Sequence, residues 1–332
     1  MKKSLIALAV ASAVAAPAFA ATSNVDVYGV LRFSLDNYNT DAATGDNWTI
    51  NDQTSRFGIK GSEDLGGGLK AVWQIEQQLD ATGSPLVGGT AFGGAGLRNT
   101  FIGLAGGFGT VIVGRHDTPY KLGGSADVFA DTSADSQKNT TGIIGRNGFD
   151  NRVSGTVAYV SPDFNGFHFA VATVPGEGTT NTANGLMDAY SLVGVYANGP
   201  LKLSLGYENF DKEVGAGTND KNATKFNVGY KIGDIGLGYT YERSKDGYAA
   251  TSETDTAHLA SITYAMGPIT LAGQYGKFSD KQTSAADLNR TTIGAIYNLS
   301  KRTNVYAAYD MENYGSGGTD ADIFTMGVNH SF

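Results

Sequence analysis

The amino-acid sequence predicts an all-β fold: a 16-stranded antiparallel transmembrane β-barrel with long external loops and short periplasmic turns. Three observations lead there. Apolar and polar residues alternate in segment after segment, the connections between segments alternate in length, and tyrosines recur at the spacing of one hairpin near both ends of the strands.

The N-terminus stands apart from this pattern. "MKKSLIALAVASAVAAPAFA" carries Lys2 and Lys3, an apolar run from Leu5 to Ala16, and Ala18-Phe19-Ala20 as a small-x-small cleavage site. That is a secretory signal over residues 1–20, and its run is shorter than the roughly 20 apolar residues of a spanning helix. Without it the chain is one barrel domain, 21–332, whose formal charge moves from −8 to −10 because two lysines are lost. Net acidity argues against a nucleic-acid binder, which needs a basic footprint. With zero cysteines, an exported chain has no disulfide framework and depends on hydrogen bonds and burial. Forty-six glycines, seven prolines and 33 Tyr plus Phe favour one large sheet over two ordinary domains.

From there the strands follow in order, with no convincing helical stretch or linker. The first half reads as 24–36, 54–61, 68–80, 97–105, 109–115, 151–160, 166–174 and 188–197. The second half adds 200–210, 222–231, 234–244, 255–266, 268–278, 289–299, 302–313 and 320–332. Seven short connections ("SEDLGGG", "AGGFG", "SPDFNG", "NGP", "GDIG", "MGP" and "LSKRT") alternate with eight longer polar ones, the longest being 116–150. Tight turns on one edge and long loops on the other are the asymmetry of an outer-membrane barrel.

The segment "LKAVWQIEQQLD" shows what the alternation does locally. Leu69, Ala71, Trp73, Ile75 and Leu79 share one face, and Lys70, Gln74, Glu76, Gln78 and Asp80 the other. A soluble core would show the same alternation, so the aromatics decide. Tyr159, Tyr196, Tyr230, Tyr264, Tyr297 and Phe332 hold the apolar parity close to the short turns or the chain end, at spacings of 37, 34, 34, 33 and 35 residues. Tyr207, Tyr241, Tyr275 and Tyr309 hold it near the long loops. Two aromatic rows at the two strand ends match the interfacial girdles of a barrel in lipid. Charge agrees: on the first, third, sixth, ninth and eleventh strands the apolar parity is expected to be free of Lys, Arg, Asp and Glu. A basic residue facing the bilayer midplane costs roughly 2 to 4 kcal/mol. Trp73 is therefore expected to face lipid, and Lys60, Lys70 and Glu76 a wet lumen. Open edges do not survive in hydrocarbon, so the last strand should pair with the first.

At this point "VDVYGVL", "SRFGIKGSEDLGGGLKAVWQIEQ", "FIGLAGGFGTVIVGR", "YVSPDFNGFHF", "NLSKRT" and "GVNHSF" together resemble the Gram-negative general porins of the beta-proteobacterial type, across nearly the whole mature chain. The resemblance implies a trimeric, passive channel in the outer membrane whose third long loop, 116–150, folds into the lumen. It implies no cofactor, and partners limited to outer-membrane lipid, small hydrophilic solutes and ions. The terminal Phe332 resembles the signal read by the barrel-insertion machinery.

Within the third loop "ADVFADTSAD" groups Asp127, Asp131 and Asp135. Taken alone, loop acids are most often solvated surface; the resemblance implies that these line the narrowest point. On the wall, parity turns Arg56 and Arg152 inward, and Arg32 too, where the family often has Asp. Arg98 resembles a family wall arginine, but the mixed parity of "LRNTFIGL" leaves its direction open. Basic wall against acidic loop implies a transverse field and a mild anion preference. The bland reading is scattered, hydrated lumen arginines. The glycine runs lack the Lys-Ser/Thr of a phosphate loop, and His116, His168, His258 and His330 are too scattered for a metal site or triad. A substrate-selective channel, a barrel enzyme on the lipid face and a soluble secreted adhesin are the competing functions.

Overall fold

A computed structural model describes residues 23–40, 47–79, 82, 96–137, 142–176, 185–211, 220–245, 253–281 and 286–332. The proposed signal, 1–20, lies outside the described residues. Consecutive strands pair antiparallel around the sheet, except that the second and third both pair with the first and not with each other. In the first half they are β1 (Ser23–Thr40), β2 (Asn47–Asp52), β3 (Arg56–Gly66), β4 (Leu69–Gln78), β5 (Thr100–Gly106), β6 (Gly109–Asp117), β7 (Arg152–Val160), β8 (Phe167–Val174) and β9 (Ala189–Asn198). The second half holds β10 (Leu201–Phe210), β11 (Lys221–Ile232), β12 (Ile235–Lys245), β13 (Thr254–Met266), β14 (Ile269–Ser279), β15 (Leu288–Asn298), β16 (Thr303–Tyr314) and β17 (Ala321–Ser331). β17 returns to pair with β1 from Val30↔Ser331 to Thr40↔Ala321, which closes the barrel.

Seventeen strands make 16 staves because β2 and β3 both lie on the same side of β1, one above the other. The stave breaks at Gln53–Ser55. Thr54 has a positive φ of 61°, uncommon for a β-branched residue, and the Asp52 carboxylate accepts the Ser55 N–H at 2.8 Å. Strand reading therefore extends further up the barrel than the sequence suggested, since "NWTIND" looked like loop. Trp48 and Ile50 in fact point outward, 55% and 68% exposed.

The apolar parity is the outer surface. Ile75, Ile102, Leu205 and Ile262 all lie open on it, and such an extent of exposed aliphatic surface has no place on a soluble monomer. Trp73 sits opposite Gly61 on this face; a Cβ there would meet the indole 2.6 Å away, so the glycine lets the ring lie against the sheet. The predicted aromatic rows are outward and half-exposed, including Tyr230, Tyr264, Tyr297 and Phe332 near the short turns and Tyr275 and Tyr309 near the long loops. One expectation fails: Arg243 occupies the outward parity of β12 beside Tyr239 and Tyr241. It sits at the external end, clear of the midplane, where the cost of an outward charge falls to about 0 to 1 kcal/mol.

The buried apolar clusters are inside the barrel, where the third long loop packs. Ile143 and Ile144 meet Leu259, Phe278 and Leu288, while Phe129 and Ala134 meet Ala272 and Ala308. The loop also holds a single helical turn, α1 (Pro119–Leu122), which the sequence did not announce; Pro119 starts it and the Thr118 side chain caps it.

Candidate functional site

The third loop crosses the lumen by following one side of the inner wall. Near its start the Tyr120 N–H donates to Ser191 Oγ at 2.9 Å and its hydroxyl to Glu242 Oε2 at 2.7 Å. Further on, Ala126 N–H donates to Thr240 Oγ1 and Val128 N–H to Gln274 Oε1. Then Arg290 Nη1 donates to the Asp135 carbonyl at 2.7 Å, and Ser133 Oγ donates to Asp36 Oδ2 at 2.6 Å on β1. The loop thus runs from β9 through β12, β14 and β15 to β1, and leaves the wall from β1 to β7 open.

That open wall carries arginine. Arg32 contacts the Asp131 carboxylate where the loop meets β1, and Arg56 Nη1 lies 3.7 Å from the same oxygen. Arg98 turns inward: its Nε lies 2.6 Å from Glu76 Oε1, with Arg56 Nε 3.9 Å from Oε2 and the Tyr28 hydroxyl donating to Oε2 at 3.0 Å. Arg152 Nη2 lies 3.0 Å from Asp117 Oδ1. Arg32 and Arg98 act electrostatically on Arg56, and Arg98 on Arg152, so the four guanidiniums form one continuous ladder. Three carboxylates, Asp131, Glu76 and Asp117, are shared among these four cations.

The three loop aspartates do different things. Asp131 alone faces the arginines. Burial would raise its pKa, but Arg32 and Arg56 outweigh that and hold it below the usual carboxylate range. Asp127 and Asp135 turn into the loop. Asp127 accepts the Phe129 and Ser136 N–H groups, and Asp135 those of Asp131 and Gln137. Burial, and then the neighbouring Asp135 carboxylate, push Asp127 well above the carboxylate range.

Lys60 and Lys70 lie on the lumen parity below the ladder. The Lys60 Nζ stands over the Tyr28 ring at 5.2 Å, and Lys70 sits opposite Asp64 close to the first short turn. Three groups went unsingled in the sequence reading: Asp117, the Tyr120–Glu242 contact, and Arg290, which binds Asp310 through Nε at 2.8 Å and Nη2 at 2.6 Å. Parity would turn Arg290 and Asp310 inward, but only the register of β15 on β16 brings them together.

A model of the Gram-negative porin family matches residues 7–317. This chain belongs to that family. Among its relatives, outer membrane porin protein 32 of Delftia acidovorans is 30% identical over 320 residues, covering 92% of this chain and 88% of the relative. A major outer membrane protein P.IB of Neisseria gonorrhoeae is 31% identical over 367 residues, covering 100% of both. Of the solved structures, an anion-selective porin from Comamonas acidovorans superposes with a TM-score of 0.78 over 93% of this chain and 100% of its own, at 24% identity. The porin is thus an outer-membrane protein, and its barrel is a channel for passive diffusion of small hydrophilic solutes.

Proposed function

We propose that this porin favours anions, because the passage between the third loop and the open wall is bordered by four arginines that share three carboxylates. The total charge of the chain, −8 before processing, says little about this, since selectivity is set where the water path is narrowest. The anion-selective porin of Comamonas acidovorans, with which it shares the fold, supports the same sign. The mechanism is electrostatic and involves no covalent chemistry: solutes cross a transverse field between the arginine ladder and the loop, with Asp131 the loop's one carboxylate facing that ladder. Assembly is proposed to be a homotrimer, as OmpT of Vibrio cholerae has been seen in a trimer form, with Phe332 read during insertion.

The test is the reversal potential across a planar bilayer in a salt gradient. Arg56→Ala and Arg152→Ala are expected to lower the anion-to-cation permeability ratio about sevenfold each, since one unit charge acting through water over ~7 Å shifts the anion and the cation by about 0.6 kcal/mol in opposite directions. Asp131→Asn is expected to raise it by a similar factor. A cation-preferring wild type would reject the reading.

One observation favours greater solute selectivity. Under α1 the inner wall is partly apolar where a general channel would be wet: Val72, Phe101, Ile112, Ala158 and Leu122, with Lys60, Gln74 and His116 among the polar residues beside them, border a recess of about 420 Å³. Such a recess would retain amphiphilic solutes, and saturable current block by an arylcarboxylate separates this reading from a featureless pore.

A further inference from the structure

The recess beneath α1 changes character along its length, and the change is ordered by strand. Toward β1 it is lined by Asn24, Asp26, Lys60 and Gln74, of which the first three are exposed. Toward β8 it is lined by Phe101, Ile112, Ala158 and Val160, and there Ile112 and Ala158 are buried. Leu122 of α1 borders this second end and stays 45% exposed, so the loop adds apolar surface to the recess without closing it. Between the ends the register sets Val72 beside Gly103 and Gly103 beside Ile112. A Cβ at Gly103 would meet Ile112 Cγ2 at 2.7 Å, so the missing side chain keeps the floor low.

Lys60 gives the wet end its cation. Among the described residues no ion pair involves it, and its Nζ stands 5.2 Å from the Tyr28 ring centroid. Asp26 lies directly opposite Lys60 in the register of β1 on β3, yet the two do not pair. At the upper margin the His116 ring meets Phe101 edge-on, with centroids 5.2 Å apart, and Asp117 is held by Arg152. Neighbouring strands lie ~4.8 Å apart, so Lys60 on β3 and Gly103 on β5 are separated by ~10 Å across the wall. A phenyl ring joined to a carboxylate through two carbons covers that span.

We propose that this recess binds arylalkanoates, with the carboxylate at Lys60 and the ring on the floor of Val72, Phe101 and Ile112 beside Leu122. The proposal rests on the solute-selective reading above and gives it an orientation and a chemical class. Each end refuses the wrong half of the molecule. A carboxylate at the buried end loses its hydration with no cation to replace it, and a ring at the Lys60 end leaves its apolar surface in water. Phe101 and His116 offer an aromatic body the offset and edge contacts that rings prefer. Lys60 is a mobile point charge on a flexible stem, so it follows the carboxylate without fixing it. Asp26 beside it weakens the hold. Passage requires binding strong enough to admit the solute and weak enough to release it, and a solute leaving the arginine ladder toward the short turns meets this recess next.

The test uses the full-length porin in a planar bilayer and reads the half-blocking concentration of phenylpropanoate from the ionic current. Propanoate and phenylpropanol, which carry one half of the molecule each, are expected to block far less. Lys60→Gln is expected to raise the half-blocking concentration about fivefold and Leu122→Ser about tenfold, while Asp26→Asn lowers it about threefold. The control, Lys70→Gln near the first short turn, removes the same charge outside the recess and should change nothing. No block by any probe would overturn the proposal together with the solute-selective reading. Block by phenylpropanoate that Lys60→Gln and Leu122→Ser leave unchanged would overturn the placement alone and leave that reading standing. Equal block by propanoate, or equal weakening by Lys70→Gln, would mark general anion attraction, and equal block by phenylpropanol a greasy surface without recognition of the carboxylate; each overturns the proposal. Asp26→Asn, which must tighten binding, keeps the test decisive if Leu122→Ser lowers yield.

Discussion

At the scale of single residues, the loop aspartates divide by environment although they lie within nine positions of one another. Asp131 is held ionised by two arginines, whereas Asp127 is pressed toward its protonated form by burial and by Asp135. Their effects on stability run in opposite directions with pH. Asp127, with its folded pKa raised, contributes stability that is complete below the ordinary carboxylate pKa and is lost as pH rises through the raised value. Asp131, with its folded pKa lowered, contributes stability above the ordinary value that is lost only as pH falls through the lowered one. Asp127→Asn keeps an acceptor for only one of the Phe129 and Ser136 N–H groups, which lowers stability by an amount that does not vary with pH, and it removes the titration. Its melting temperature is expected to stay level from the carboxylate range upward, while that of the wild type declines over the same interval. Parallel melting curves for the two proteins across that range would contradict the assignment.

At the scale of elements, the third loop is a strap tied to the wall at widely separated strands, and Arg290 is the tightest knot. It is 2% exposed, binds the fully buried Asp310, and donates to the carbonyls of Ser133 and Asp135. Arg290→Met leaves a buried carboxylate without its partner, which costs about 3 to 5 kcal/mol. The expected readouts are a lower melting temperature and a noisier open-channel current as the loop loosens. Adding Asp310→Leu should restore most of the stability but not the quiet current, since the loop carbonyls stay untied.

What the sequence disclosed at this scale follows from range. Alternation is a local signal, and it placed the strands, their turns and the inward direction of Arg56 and Arg152. It stopped short at "NWTIND", where polar side chains at the rim erase the contrast between faces, and it left Arg98 undecided because that residue precedes its strand. The loop's tether points were illegible for another reason. Tyr120 with Glu242, and Arg290 with Asp135, are separated by 122 and 155 positions, and no periodicity encodes such a contact. Outward Arg243 departs from the parity rule because the cost of lipid-facing charge holds only within the hydrocarbon and fades at the strand's external end.

At the scale of the whole molecule, closure of β17 on β1 removes the sheet edges within the membrane, so among the described residues every strand but the short β2, which pairs along β1 alone, has neighbours on both sides and its backbone is satisfied without water. The two faces of that cylinder then meet two solvents. Aliphatic and tyrosine side chains coat the outside; arginine, carboxylates and the strapped loop occupy the inside. Conductance and selectivity both presuppose this division. The most direct test uses the absence of native cysteine, which makes every introduced thiol unique. Nitroxide labels at Leu203 and Ile235, outward on β10 and β12, are compared with labels at Lys202 and Gly236, their inward neighbours, in porin reconstituted into vesicles. Relaxation by lipid-dissolved oxygen should dominate at Leu203 and Ile235, and relaxation by a water-soluble nickel chelate at Lys202 and Gly236. If Leu203 and Ile235 respond to the chelate and are shielded from oxygen, the barrel is turned inside out relative to this account and the channel does not exist.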